Sequence, residues 1–247
     1  ETVRAIASGG MATVHLGRVL GEGGFQRLVA IKQMHPHLIA DEDFVAMFLD
    51  EGRLAAGIHH PNVVSVLDAG EFDGRYFLVM EYVDVIDAER CIADAWRQES
   101  PIPRPVALRI AVDALRGLHF AHELRSPQGT RFGLVHRDVS PDNLFITREG
   151  VTKLGDFGIA KLAELEGVTQ AGLIKGKIAY MSPEQVRGVA LDSRADAFSL
   201  ALVLYEMLSS ARPFALREGE SEVDALLRVR AGRVRSLGRL ERDLPSR

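Results

Sequence analysis

The chain reads as an α+β protein: a small strand-rich part with one main helix up to about Met80, then a larger, mainly helical part. Three observations predict this. Short apolar stretches punctuated by glycine fill the region before Met80, and helix-period apolar patterns dominate from Val106 onward. In the second part a polar stretch, Val135-His136-Arg137-Asp138-Val139-Ser140-Pro141-Asp142-Asn143, sits among short apolar runs. A length of 247 residues is enough for one large domain or two small lobes, and 47% hydrophobic with 26% charged residues is the make-up of a globular protein with a real core.

A formal net charge of -4 and an isoelectric point near 6.1 give no general attraction to nucleic acid or anionic membranes. The single cysteine, Cys91, has no partner for an internal disulfide; it fits a reducing cytoplasm and reads as a small apolar filler. No signal peptide is visible, and the apolar run from Ala197 to Tyr205 is far too short to span a bilayer. A cytoplasmic location, with no membrane segment in this chain, is therefore expected. Only five of the 30 basic residues are lysines, so each lysine at a motif position carries more weight.

Val3 to Ile6 and Thr13 to Val19 read as strands, with the small residues Ala7-Ser8-Gly9-Gly10-Met11-Ala12 turning between them. Leu28 to Lys32 is the third strand of this meander. Gly21-Glu22-Gly23-Gly24 is richer in glycine than the first turn, but Gly24 lies only eight residues before Lys32. That is too close for a loop to rise over a ligand and return, so it reads as a hairpin turn. From Asp43 to Gly57, Phe44, Val45, Met47, Phe48, Leu54 and Ala55 recur at helical spacing, and Glu51 falls on the same helix, either as a solvated charge or, facing inward, as a partner for Lys32. His59-His60-Pro61-Asn62 ends the helix; with no second Cys or His group at ligand spacing, the histidines read as turn residues. Val63 to Leu67 and Tyr76 to Met80 read as strands on either side of the turn Phe72-Asp73-Gly74. Glu81 to Asp87, then Trp96 and the prolines 101, 103 and 105, read as a connector. Val106 to His122 and Ala195 to Leu208 read as buried helices, and Gly133 to Val135, Leu144 to Ile146 and Val151 to Leu154 as short strands.

Strand ends of this kind hold polar residues in fixed places. Thirteen positions after Asn143 stands Asp156-Phe157-Gly158, so two acidic groups and an amide are delivered together. Asp138 is suited to accept a proton from an attacking hydroxyl, and Asn143 and Asp156 offer hard oxygen ligands suited to Mg2+ bridging phosphates. Ordinary polar loops do not explain H-R-D-x-x-x-x-N followed by D-F-G at this spacing.

These motifs make the chain resemble a eukaryotic-type protein kinase catalytic domain, most similar to the Ser/Thr protein kinases of bacteria, over essentially its whole length. The resemblance implies a bilobal protein-kinase-like fold: residues 1–80 as a small β-rich lobe with one main helix, 81–87 as a hinge, and 88–247 as a larger, mainly α-helical lobe. It implies ATP and Mg2+ as cofactors and protein substrates that receive the γ-phosphoryl group on Ser/Thr hydroxyls, with autophosphorylation. Pro141 and Asp142 resemble the Ser/Thr branch. Val29-Ala30-Ile31-Lys32 would put Lys32 on the α and β phosphates with Glu51 as its helix partner. Asp138 would be the catalytic aspartate, and Asn143 and Asp156 the magnesium ligands. Ala7, Gly9 and Gly10 would belong to the loop over the phosphates. Val14 and Ala30 would close on adenine from above and Phe145 from below, backbone groups of Glu81 and Val83 would bond its edge, and Met80 would guard the back. A pseudokinase, binding nucleotide or scaffolding without transfer, and a small-molecule phosphotransferase on a related fold are the alternatives.

Four departures stand out. The first and third glycines of the loop are Ala7 and Ala12, Ser182-Pro183-Glu184 replaces Ala-Pro-Glu, Ser140 stands where a lysine is usual, and Lys177 where a threonine is usual. Lys177 either restores the positive charge missing at position 140 or points outward and selects acidic substrate residues. Arg137 would dock a phosphorylated activation segment, with Thr169 as its site. The chain stops 63 residues after Glu184. The resemblance therefore leads one to expect a fragment or a naturally shortened domain, whose large lobe exposes apolar surface and leaves Glu184 without its usual arginine, with low solubility or dimerisation to follow.

Overall fold

The glycine-punctuated first part forms a five-stranded antiparallel sheet in the order β1-β2-β3-β5-β4. The strands are β1 (Thr2–Ser8), β2 (Ala12–Leu20), β3 (Gln26–Met34), β4 (Val66–Phe72) and β5 (Arg75–Glu81). The computed structural model describes residues 1–84, 86–126, 128–157, 178–232 and 234. Two compact units divide the chain: Glu1–Asp84 together with Phe157, and Val85–Asp156 together with the described residues from Ile178 onward.

Gly21 to Gly24 is the hairpin turn its spacing predicts. A short 3-10 turn there brings Leu20 opposite Gln26, and Gly23 and Gly24 adopt φ of 69° and 82°, the left-handed region that glycine enters without strain. Helix α1 (Glu42–Ala56) starts where the Asp41 carboxylate accepts from the N–H groups of Asp43 and Phe44. It packs closely on the sheet at Gly52, where a Cβ would lie 2.4 Å from Leu78 Cδ2. Met34, Phe48 and Leu78, each 1% exposed, form the core beneath it. The sheet corrects one expectation. The fourth strand is Val66–Phe72, not Val63 to Leu67. The β5 backbone supplies partners through Ala69↔Leu78, Gly70↔Phe77 and Glu71↔Tyr76, so hairpin pairing carries the strand through polar residues to the turn. Val63 instead closes a turn, its N–H donating to His60 O at 3.0 Å.

The second unit carries a three-stranded sheet of β6 (Ile86–Asp87), β7 (Leu144–Ile146) and β8 (Thr152–Leu154). Its helices are α2 (Ala88–Arg97), α3 (Arg104–His122), α4 (Pro183–Arg187), α5 (Ser193–Ser209) and α6 (Glu222–Ala231). Leu118, Leu144, Leu154, Ile178, Val203, Met207 and Phe214 lie in one core between them. Helix α2 replaces most of the expected connector; Asp87 caps it by accepting from Arg90 N–H at 2.8 Å. Gly133 to Val135 is not a strand. Immediately after it, the N–H groups of His136 and Arg137 turn to a side-chain carboxylate, so the segment is anchored there without a neighbouring strand. Among the described residues no helix is long and apolar enough to cross a membrane.

Candidate active site

In the first unit Lys32 stands in mid-β3, opposite Val14 on β2 and Leu78 on β5, while Ala30 stands opposite Met80. Directly opposed residues share a sheet face and alternate residues return to it, so Val14, Ala30, Lys32, Leu78 and Met80 lie on one face. Helix α1 approaches this same face through the Gly52–Leu78 contact and brings Glu51 to the lysine. Lys32 Nζ donates to Glu51 Oε1 at 3.0 Å, with the two side chains 15% and 6% exposed. A pair this buried is kept by its geometry, and it holds the ammonium at a defined place at the sheet surface.

The glycine-loop substitutions have a local explanation. Ala7 is the last but one residue of β1, opposite Val14, and Ala12 opens β2, so both alanines sit in extended backbone that accepts a Cβ. Between them Gly9 N–H donates to Ala12 O at 2.9 Å, and a Cβ on Gly9 would meet only that oxygen, at 3.9 Å. Packing does not demand glycine there; its effect is to leave the surface of the turn, which includes Gly10, bare. At the other end of the sheet Glu81 closes β5, its N–H donating to Ser65 O at 2.9 Å, and Val83 follows without regular structure.

In the second unit the polar loop is organised by Asp196, which is 1% exposed in the first turn of α5. Its Oδ2 accepts from His136 N–H at 2.8 Å and lies 2.7 Å from His122 Nε2, while Oδ1 accepts from Arg137 N–H at 2.8 Å. The His136 ring then spans the loop: Asp138 N–H donates to Nδ1 at 3.3 Å, leaving Nε2–H to donate to Gly155 O at 2.9 Å. Both bonds together call for the neutral ring with its proton on Nε2. Asp138 is thus anchored from behind. Asn143 Nδ2 donates to Asp138 Oδ2 at 2.7 Å and to Asp138 O at 2.8 Å, fixing the carboxylate from within the loop.

The β7–β8 pair brings the remaining expected residues together. Leu144 opposes Leu154, and just beyond that pair Gly155 N–H donates to Asn143 O at 3.0 Å, so Asn143 and Asp156 emerge at the same end. Phe145, on β7, lies against Gly155 so closely that a Cβ there would be 2.4 Å from Phe145 Cε2. These residues fit a magnesium ion on the chemistry of the donors. Asn143 spends its Nδ2 hydrogens on Asp138, which leaves Oδ1 as the amide's ligand atom, and Asp156 offers a carboxylate. Among the described residues no group of three His, Cys, Asp or Glu could hold a metal.

Arg137 precedes Asp138 with φ 67°. Burial lowers its guanidinium pKa, an effect that Asp196 opposes, and its Nε is buried without a hydrogen-bond partner among the described residues. Ser140 is 2% exposed, its hydroxyl donating to Asp138 O at 3.4 Å. Lys177 and Thr169 lie outside the described residues. Sequence reasoning missed Asp196; the available signal was an acidic residue inside a strongly apolar helix, which reads equally well as a flanking charge.

The profile of the protein kinase domain family matches residues 1–242. A relative named Tyrosine-protein kinase MasK, from Myxococcus xanthus, is 45% identical over 98% of this chain and 37% of its own length. The Serine/threonine-protein kinase PknB of Mycobacterium leprae is 37% identical over 83% of this chain and 32% of its own. The chain thus spans about a third of the length of these curated relatives. The crystal structure of the Mycobacterium tuberculosis PknI kinase domain is similar at a TM-score of 0.63 and 33% identity, covering 86% of this chain and 75% of that one. With a five-stranded sheet and one main helix in its first unit, a mainly helical second unit, and a family match over nearly its full length, this α+β chain belongs to the protein kinase domain family.

Proposed function

We propose that this chain transfers the γ-phosphoryl group of ATP to a hydroxyl of a protein substrate, with Ser/Thr preferred. The observation that carries the proposal is the loop in which Asn143 fixes the Asp138 carboxylate at 2.7 Å while its backbone oxygen holds Gly155, next to Asp156. Lys32, held by Glu51, would contact the α and β phosphates. Val14, Ala30, Met80 and Phe145 would surround the base, whose edge would meet backbone groups of Glu81 and Val83. Ala7, Gly9 and Gly10 would cover the phosphates. Asn143 and Asp156 would hold Mg2+, which when bound neutralises charge on the transferred phosphate. Asp138 would orient the attacking hydroxyl and take its proton at the carboxylate. Lys177 would add positive charge close to Ser140, where the family usually carries a lysine.

Incubation with labelled ATP and Mg2+ tests this directly. Wild type should label itself or a general protein substrate, and Asp138→Asn should lower kcat by about 10²- to 10⁴-fold, the range a general base contributes. A wild type that binds ATP but transfers nothing would overturn the proposal. The MasK relative, by its name a tyrosine kinase, favours a second reading in which tyrosine is the acceptor. Phosphoamino-acid analysis of the labelled product decides between phosphoserine or phosphothreonine and phosphotyrosine.

A further inference from the structure

Gln185 is engaged at both ends of its amide, and only one end serves its own helix. At the third position of α4 it closes a capping box: Ser182 N–H donates to Gln185 Oε1 at 2.8 Å, and Gln185 N–H donates to Ser182 Oγ at 3.3 Å. A capping box needs only the side-chain oxygen, and glutamate serves it as well as glutamine. Here Nε2 is used too, donating to Arg137 O at 2.7 Å across a separation of 48 residues.

Arg137 is a non-glycine residue at φ 67°, a conformation that persists only when its surroundings hold it. Asp196 Oδ1 holds its N–H and Gln185 Nε2 holds its carbonyl. That carbonyl belongs to the planar peptide whose N–H is that of Asp138, donated to His136 Nδ1. Fixing the oxygen therefore sets the plane from which the Asp138 side chain departs. We propose that Gln185 is a positioning residue for Asp138, tying the start of α4, just after Ser182-Pro183-Glu184, to the catalytic loop. The role presupposes phosphoryl transfer at Asp138.

Gln185→Glu separates the two ends. Its carboxylate keeps the capping oxygen but has no hydrogen for Arg137 O, and it sets two oxygens against each other. At about pH 8 its kcat should fall roughly ten- to hundredfold, as expected for a small misplacement of a reacting group, with KM for ATP close to wild type and Tm lowered by only a few degrees for the lost hydrogen bond. A protonated carboxyl regains a donor, so the wild-type to variant ratio of kcat should shrink as pH is lowered toward about 5.5. Arg187→Ala breaks a different tie of the same helix, Arg187 Nη2 to Arg230 O at 2.8 Å, and should leave kcat within about twofold. Apart from turnover, amide hydrogen exchange at Asp138 should quicken in Gln185→Glu and not in Arg187→Ala. A Gln185→Glu variant with wild-type kcat, or with lowered kcat but unchanged exchange and no pH-dependent recovery, overturns the role. An inactive wild type would count against phosphoryl transfer itself, while the exchange measurement would still decide the tie.

Discussion

Gly155 shows what one absent methyl group decides. Its missing Cβ is the space taken by the Phe145 ring, 2.4 Å from where the Cβ would stand, and its carbonyl receives the His136 ring while its N–H reaches Asn143. Gly155→Ala must push aside a flat ring or the start of the Asp156 segment. Overpacking of this kind costs about 1–3 kcal/mol, and if Phe145 lies against adenine it should also raise KM for ATP severalfold. Urea denaturation and ATP kinetics on the one variant check both parts. Nothing in the sequence singles out Gly155 for this contact, because a glycine before an aspartate reads as an ordinary turn. Lys32 and Glu51 are the opposite case. The resemblance of Val29-Ala30-Ile31-Lys32 to the kinase motif, with Glu51 as its helix partner, anticipates a pair that the packed helix then closes at 3.0 Å.

At the scale of elements, the end of α5 is tied to α2 and to the 3-10 turn Ile178–Tyr180 by one buried carboxylate. Glu206 is fully buried and accepts from the Tyr180 hydroxyl and from Arg212 Nε, the latter at 2.9 Å. The Arg212 guanidinium lies 5.5 Å from the centres of both the Trp96 and Tyr180 rings. Burial, and then the Glu206 charge, raise the Tyr180 hydroxyl pKa, so it remains a donor. Arg212→Leu would leave that carboxylate buried without its cation, at a cost of about 3–5 kcal/mol. Adding Glu206→Gln should recover part of the loss, and a double-mutant cycle by urea denaturation measures the coupling. If the two losses simply add, the network is not the tie described. Helix α5 itself is legible as an apolar run, but the roles of Asp196 and Glu206 within it are not. A charge in a helix is usually solvated, and only its neighbours show that it is buried. Helix α2 escaped for a related reason: its cap, Asp87, lies at the end of a polar stretch that reads as a connector.

Across the whole molecule, pH should act on stability through Glu89 in a direction unusual for a carboxylate. Burial, then the nearby Asp142 and Asp87 charges, raise its pKa against the opposing pull of Arg212. The folded chain therefore holds this proton more tightly than the unfolded chain does. Below the unfolded value, about pH 4, the group is neutral in both states and contributes nothing; as pH rises through the folded value it removes stability. Glu89→Gln should accordingly raise Tm slightly at pH 8 and leave it unchanged near pH 4, a difference that calorimetry at the two pH values reads. An equal shift at both would assign the effect to lost packing. The sequence by itself determined the identity of the chemical groups and the order of the strands and helices that carry them. Glycine turns, alternation, helical period and motif spacing act over short stretches, so Lys32, Asp138, Asn143 and Asp156 stand out as candidates in the sequence alone. The tertiary structure alone decided what holds them: Asp196 reaches Arg137 across 59 residues and Gln185 reaches it across 48. A buried polar group must find a partner wherever packing places one, and that requirement leaves no local pattern to read.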